Sequence, residues 1–240
     1  MKKSILLLIG NKNVGSKVIK KLKSYSFIDI EILTCDKSFN EKKTLFLKNK
    51  KQFISTLKNK KKIDFLISVY WPWLISKNLF SKFKSSINFH PSYLPVARGF
   101  YPHAHAIIKN LKWGVSLHEI SGGIDKGNVW CQKEIKFNEL SSSTSLYKKG
   151  ELEIVKLFNK SFIKILTGKI KPKKQSGKSS YFNKNSINKF DELKLNKPYK
   201  LIDLIKLNNA RTFKNKSFNF FNYKNKKYSF NIKIKKIQKI

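Results

Sequence analysis

The sequence predicts an α/β fold built on a mostly parallel, helix-covered sheet, with a small C-terminal helix and β-hairpin appended. Three observations carry this expectation. Apolar runs of buried-strand type recur at Lys3 to Ile9, Phe27 to Leu33 and Ile63 to Tyr70. Lysine-rich helical stretches separate them, and glycine or polar turn residues mark the joints, which is the alternation that a parallel sheet requires. With 240 residues, 40% hydrophobic and 13% aromatic, the chain can bury the core of one domain plus a small appendage.

The elements follow in order. The first strand ends at Gly10, and Gly15 and Ser16 open a helix to about Lys23. A second strand precedes a helix expected over roughly Glu41 to Leu57, and the third strand runs straight into Trp71-Pro-Trp-Leu74. Asn88 and His90 flank Phe89 on a short strand, where the period of two places both on one face. Pro91, Pro95, Gly99 and Pro102 then disfavour a helix and hold a fixed loop. Strand, glycine turn and strand follow from Gly114 to Trp130, with Asp125 in the turn. Ser143 or Thr144 caps a long helix whose Val155, Phe158, Phe162 and Ile165 recur at core spacing, ending at Gly168. Residues 1–170 thus form the main domain and 171–188 a basic connector. Residues 189–240 hold a helix from Ile202 to Arg211 and a hairpin from Phe218 to Ile237.

Composition excludes several classes. No apolar run is long enough for a bilayer span or a signal segment, so a cytoplasmic location without membrane partners is expected. Cys35 and Cys131 stand far apart, outside any metal-type spacing, and read as reduced thiols. His103, His105 and His118 lack the spacing of a zinc site, so no metal is expected. Gly10-Asn-Lys-Asn-Val-Gly15 lacks a complete dinucleotide fingerprint and reads as a structural turn. The formal charge is +38, yet of 52 basic residues only Arg98 and Arg211 are arginine. The lysines are spread along the whole chain, as compositional drift would leave them, and a focused nucleic-acid surface is the less favoured reading. The two arginines mark places where a planar fork is needed.

The informative stretch runs from Ile87 to Ile135. It holds Asn88, His90, Pro91, Ser92, Leu94, Pro95, Arg98, Gly99 and Pro102, then Gly114, Val115, His118, Asp125 and Gly127. In this order the residues resemble the folate-dependent formyltransferases, whose N-x-H, P-S-x-L-P, R-G, G-V-x-x-H and D-x-G motifs they match. The resemblance covers about residues 1 to 170. Tyr93 stands where leucine is frequent and His105 where tryptophan is common. The resemblance implies a Rossmann-like catalytic domain, Asn88, His90 and Asp125 as catalytic residues, and 10-formyltetrahydrofolate as formyl donor. It implies donor contacts at Trp71, Trp73, Leu74, Gly122, Gly123 and Ile124. The acceptor is expected at Arg98, Gly99, Tyr101, Pro102 and His103.

The chemistry suits these residue types. An amine attacking a formyl carbon creates an oxyanion and an ammonium. The Asn88 amide can donate to the first, and His90, with an ordinary pKa near 6.5, can carry the proton to the leaving nitrogen. Asp125 would orient His90 and raise its pKa. His118 is expected to hydrogen-bond within its strand pair. The compact C-terminal segment favours a nucleotide-linked amino sugar as acceptor over initiator tRNA, whose formyltransferases carry a larger C-terminal barrel. A non-catalytic basic nucleic-acid-binding protein on the same scaffold is the reading of another class. A homodimer is compatible with the chain.

Overall fold

The computed structural model describes residues 2–235 and Ile237. A seven-stranded sheet forms its centre, built from β1 (Lys3–Ile9), β2 (Ile28–Thr34), β3 (Thr44–Phe46), β4 (Ile63–Val69), β5 (Phe83–His90), β7 (Gly114–His118) and β8 (Val129–Glu134) in the order β3-β2-β1-β4-β5-β7-β8. The five strands from β3 to β5 run parallel; β7 is antiparallel to both β5 and β8. Helices α1 (Lys12–Lys23) and α4 (Ser143–Leu166) cover one face, and α2 (Lys50–Lys58) covers the other. The mostly parallel, helix-covered sheet is therefore as the sequence predicts.

The alternation of β1 explains its unbroken apolar run. Ile5, Leu7 and Ile9 join Val18, Phe158 and Phe162 in one core, while Leu6 and Leu8 join Phe53 and Leu57 in the other. Both faces are buried, so neither tolerates a polar residue. Replacing Phe158, which is fully buried, by alanine removes contacts worth about 3–5 kcal/mol.

Several boundaries differ from expectation. The span read as one helix from Glu41 to Leu57 divides into β3, which extends the sheet beside β2, and α2, whose first turn Asn49 caps by accepting from Gln52 N at 2.9 Å. An asparagine in that role starts a helix rather than continuing one. Helix α1 begins at Lys12 rather than Gly15, because Asn11 already accepts from Val14 N. Ser142, one residue before the expected caps, caps α4 and forms a capping box with Ser145. The proline-rich loop ends one residue early: Pro102 opens α3 (Pro102–Lys109), where its missing N–H costs nothing.

The span read as a connector is stitched to the main domain. Lys173 pairs with Val129, and β9 (Tyr181–Phe182) runs parallel to β6 (Arg98–Gly99). Beyond it, α5 (Leu201–Arg211) packs on α3, and its Ala210 belongs to the same core as Phe158. Two small hairpins follow, β10 (Thr212–Phe213) with β11 (Lys216–Ser217), and β12 (Phe220–Tyr223) with β13 (Lys226–Ser229). The second was expected from Phe218 to Ile237; Lys236 of that span lies outside the described residues. Lys224 and Asn225 at its turn both have positive φ, as a tight two-residue hairpin turn demands. No helix among the described residues is long and apolar enough to cross a membrane.

Candidate active site

Strand β5 delivers Asn88 and His90 to one face and turns Phe89 to the other, where its ring lies 5.2 Å from Phe158. The antiparallel register sets His118 of β7 directly opposite Asn88. The turn between β7 and β8 then carries Asp125 back over both, with Asp125 at φ +50. Gly127 makes this possible: a Cβ there would lie 1.7 Å from the Glu119 carbonyl oxygen. Tyr70 and Tyr101 also stand at positive φ beside the site. Such conformations persist only where surrounding structure enforces them.

The four side chains form one network. Nδ1 of His90 and Nε2 of His118 each lie 3.5 Å from a different oxygen of Asp125. Asn88 Nδ2 lies 3.0 Å from His118 Nε2 and 3.5 Å from Asp125 Oδ1. Nε2 of His90 faces the Ala97 carbonyl at 3.3 Å. Both ring nitrogens of His90 thus face acceptors, and only the doubly protonated ring could donate to both. Burial opposes that charge and prevails over Asp125, so the His90 pKa lies below its ordinary value. Asp125 does pull it upward, as expected, but desolvation outweighs that pull and the net shift is down. At Asp125 burial acts upward, but the neighbouring His90 and His118 and the Gly99 N–H together hold the carboxyl well below the usual carboxylate range. The site therefore holds a fixed carboxylate beside an imidazole whose second proton is easily lost.

Behind Asp125 the backbone is clamped. Gly99 N donates to Asp125 Oδ2 at 2.9 Å, from a residue whose φ of +89 suits glycine. Gln175 Nε2 donates to the carbonyls of Asp125 and Gly127 at 2.7 Å each, and its Oε1 accepts from Arg98 Nε and Nη2. Arg98 uses its planar fork here and does not line the cavity. The other arginine, Arg211, forms a two-point pair with Asp191.

The network lies at the edge of a cavity of about 410 Å³. Of the residues expected at the donor, Trp71, Trp73, Leu74, Gly123 and Ile124 line it, and Gly122 does not. Trp71 and Trp73 meet edge to face at 5.0 Å and both pack on Phe53, so they serve as core and as cavity wall together. Of those expected at the acceptor, Gly99, Tyr101, Pro102 and His103 line it. Burial lowers the His103 pKa to about 4. Tyr70 and Tyr147 complete that wall, with Tyr147 OH accepting from Asn11 at 2.8 Å. Tyr70 OH, Trp71 Nε1, His103 Nδ1 and Ser121 Oγ are buried and lack partners among the described residues. All four residues line this one cavity, which suits a planar ligand with polar edges.

Sequence reasoning missed His118 as a member of the network, and missed Tyr70, Tyr147 and Gln175. The period of two could have found His118, since it shares a pleat with Asn88 across the β5–β7 pair. Nothing local marks Gln175. No group of three or more His, Cys, Asp or Glu side chains among the described residues is placed to share a metal ion.

Residues 4–160 match the family described as formyl transferase. A methionyl-tRNA formyltransferase of Coprothermobacter proteolyticus is 32% identical over 49% of this chain and 40% of its own length. The chain spans less than half the length of the curated relatives it matches. A crystal structure of a 4-N formyltransferase from Francisella tularensis superposes with a TM-score of 0.88, covering 98% of this chain and 99% of that one at 22% identity. The formyltransferase PseJ from Anoxybacillus kamchatkensis, crystallised with UDP-4,6-dideoxy-4-formamido-L-AltNAc and tetrahydrofolate, is 26% identical. It superposes over 78% of this chain and 88% of its own with a TM-score of 0.61.

Proposed function

The chain belongs to the formyl transferase family, and on that premise we propose that it transfers a formyl group from 10-formyltetrahydrofolate to the primary amine of a nucleotide-linked amino sugar. One observation carries this reading: Asn88, His90 and Asp125 converge at the edge of a cavity walled by Trp71 and Trp73. The nucleotide-sugar and folate complex of the Anoxybacillus relative supports the choice of donor and acceptor.

The cavity residues fit a reduced folate. Trp71, Trp73, Leu74, Gly123 and Ile124 would hold its ring system, with the partnerless Trp71 Nε1 and Ser121 Oγ available to its polar edge. Bound there, it supplies an activated formyl carbon. The acceptor would enter along Tyr101, Pro102 and His103, and its amine nitrogen would form a C–N bond to that carbon. The bond from carbon to the folate nitrogen breaks, and the proton lost by the amine ends on that nitrogen, leaving a formamide.

The chain's own groups serve that exchange. Neutral His90 takes the proton released by the amine, and becomes for that interval the imidazolium that Asp125 and the Ala97 carbonyl are placed to receive. Asn88 and His90 stabilise the charges that develop, and the fixed dipoles around them need no rearrangement, an effect worth about 3 kcal/mol where single donors have been removed elsewhere. Asp125 holds the ring and balances its transient charge.

Turnover with 10-formyltetrahydrofolate against a panel of nucleotide-linked amino sugars and charged initiator tRNA tests the proposal. Formamide formation on at least one sugar supports it. Robust tRNA formylation with every sugar inert would overturn the acceptor assignment.

A further inference from the structure

His118 stands apart from the residues already given a role, and its two ring nitrogens have unlike partners. Nδ1 lies 2.7 Å from the backbone carbonyl of Glu119, which can only accept, so Nδ1 carries a proton. In the neutral ring Nε2 then has a lone pair and no proton, and since it also lies 3.5 Å from Asp125 Oδ1, another acceptor, a donor has to stand between the two. Nε2 faces the side-chain amide of Asn88 at 3.0 Å, so the atom that meets it must be the donor Nδ2. The second N–H of the same amide points toward Asp125 Oδ1 at 3.5 Å, another acceptor. Two acceptors thus claim the two N–H bonds, and Oδ1 of Asn88 is left as the free end. That oxygen has no hydrogen bond among the described residues, and Asn88 lines the cavity.

We propose that His118 is a positioning residue that holds the Asn88 amide with its nitrogen turned inward and its oxygen toward the cavity, so that Asn88 meets the incoming amine as an acceptor. Oδ1 takes one N–H of the acceptor amine, which aims the nitrogen lone pair at the formyl carbon and stabilises the ammonium as it forms. This departs from the donor role expected of the Asn88 amide from the sequence. It rests on the formyl-transfer reading for its kinetic consequence, and on geometry alone for the orientation of the amide. The neighbouring elements leave His118 little freedom. Its side chain is 2% exposed, and His90 crosses it edge to face with ring centroids 6.1 Å apart.

Two measurements test the proposal, and the first needs no turnover. In protein labelled with ¹⁵N in its histidine rings, the His118 resonances report its tautomer. The expected result is a proton on Nδ1, an unprotonated Nε2, and a shift of the Nε2 resonance in Asn88→Ala. A proton on Nε2, whether in the neutral or in the doubly protonated ring, would overturn the proposal, because that nitrogen would then face Oδ1 of Asn88. The second is a double-mutant cycle. His118→Phe keeps the ring shape without the lone pair and is expected to lower kcat tenfold or more, with KM for both substrates within about twofold. His118→Gln, whose Oε1 can accept from Asn88, is expected to recover most of the loss. On an Asn88→Ala background His118→Phe should cost less than about twofold, since the residue acts through Asn88. A full additive loss there would overturn the proposal. Should the unmodified protein formylate none of the panel, the function reading falls, and the tautomer still decides the orientation of the amide.

Discussion

Oδ2 of Asp125 lies 3.5 Å from Nδ1 of His90, and the same oxygen accepts the Gly99 N–H at 2.9 Å. The pair joins a carboxylate that stays ionised to an imidazole that burial keeps mostly neutral at pH 7. If neutral His90 accepts the proton, kcat rises as pH rises through the His90 pKa, and the acid limb lies below pH 6.5. Asp125→Asn removes the charge that holds this pKa up, so the limb should move lower still while kcat falls. A pH profile of kcat with its acid limb above 6.5 would contradict this assignment.

Gln175 ties the Asp125 turn to Arg98 through four hydrogen bonds. Gln175→Ala frees the turn, and Arg98→Lys replaces a fork by a point charge that cannot hold the same oxygen from two nitrogens. Each change is expected to lower kcat about tenfold, on the order of 1.4 kcal/mol, through misplacement of Asp125. KM for the donor should move less than kcat. Steady-state kinetics of both variants check this.

The buried imidazoles of α3 predict a pH-dependent stability. Burial lowers the pKa values of His103 and His105 to about 4. Their contribution is complete above about pH 6.5, the unfolded value, and is lost as pH falls from there toward 4. For His103 the loss is on the order of 3 kcal/mol. Both ring nitrogens of His105 lack partners among the described residues, and its ring stacks on Phe182 at 3.7 Å. His105→Phe therefore removes no hydrogen bond and should flatten the pH dependence and raise stability at pH 5. Urea unfolding of both proteins at pH 7 and pH 5 measures the difference.

Much of the site was legible because its residues act locally. The period of two places Asn88 and His90 on one face of β5, and a glycine turn delivers Asp125 to the end of the neighbouring strand. What the sequence hid depends on contacts between distant segments. Strand β3 is only Thr44–Phe46, too short to interrupt a helical pattern, and it exists because β2 offers it an edge. Arg98 looked like a ligand contact because its partner, Gln175, lies far along the chain in a stretch that reads as a connector. The net direction of the His90 shift was equally hidden, since an adjacent aspartate predicts a rise and only the depth of burial reverses it.

Turnover of Asn88→Ala and His90→Ala with 10-formyltetrahydrofolate and the acceptor used by the unmodified protein tests the central claim most directly, with melting temperatures measured in parallel. Both variants should lose at least about a hundredfold in kcat while remaining folded. Near-normal turnover in either folded variant would contradict the assignment of formyl transfer to these side chains.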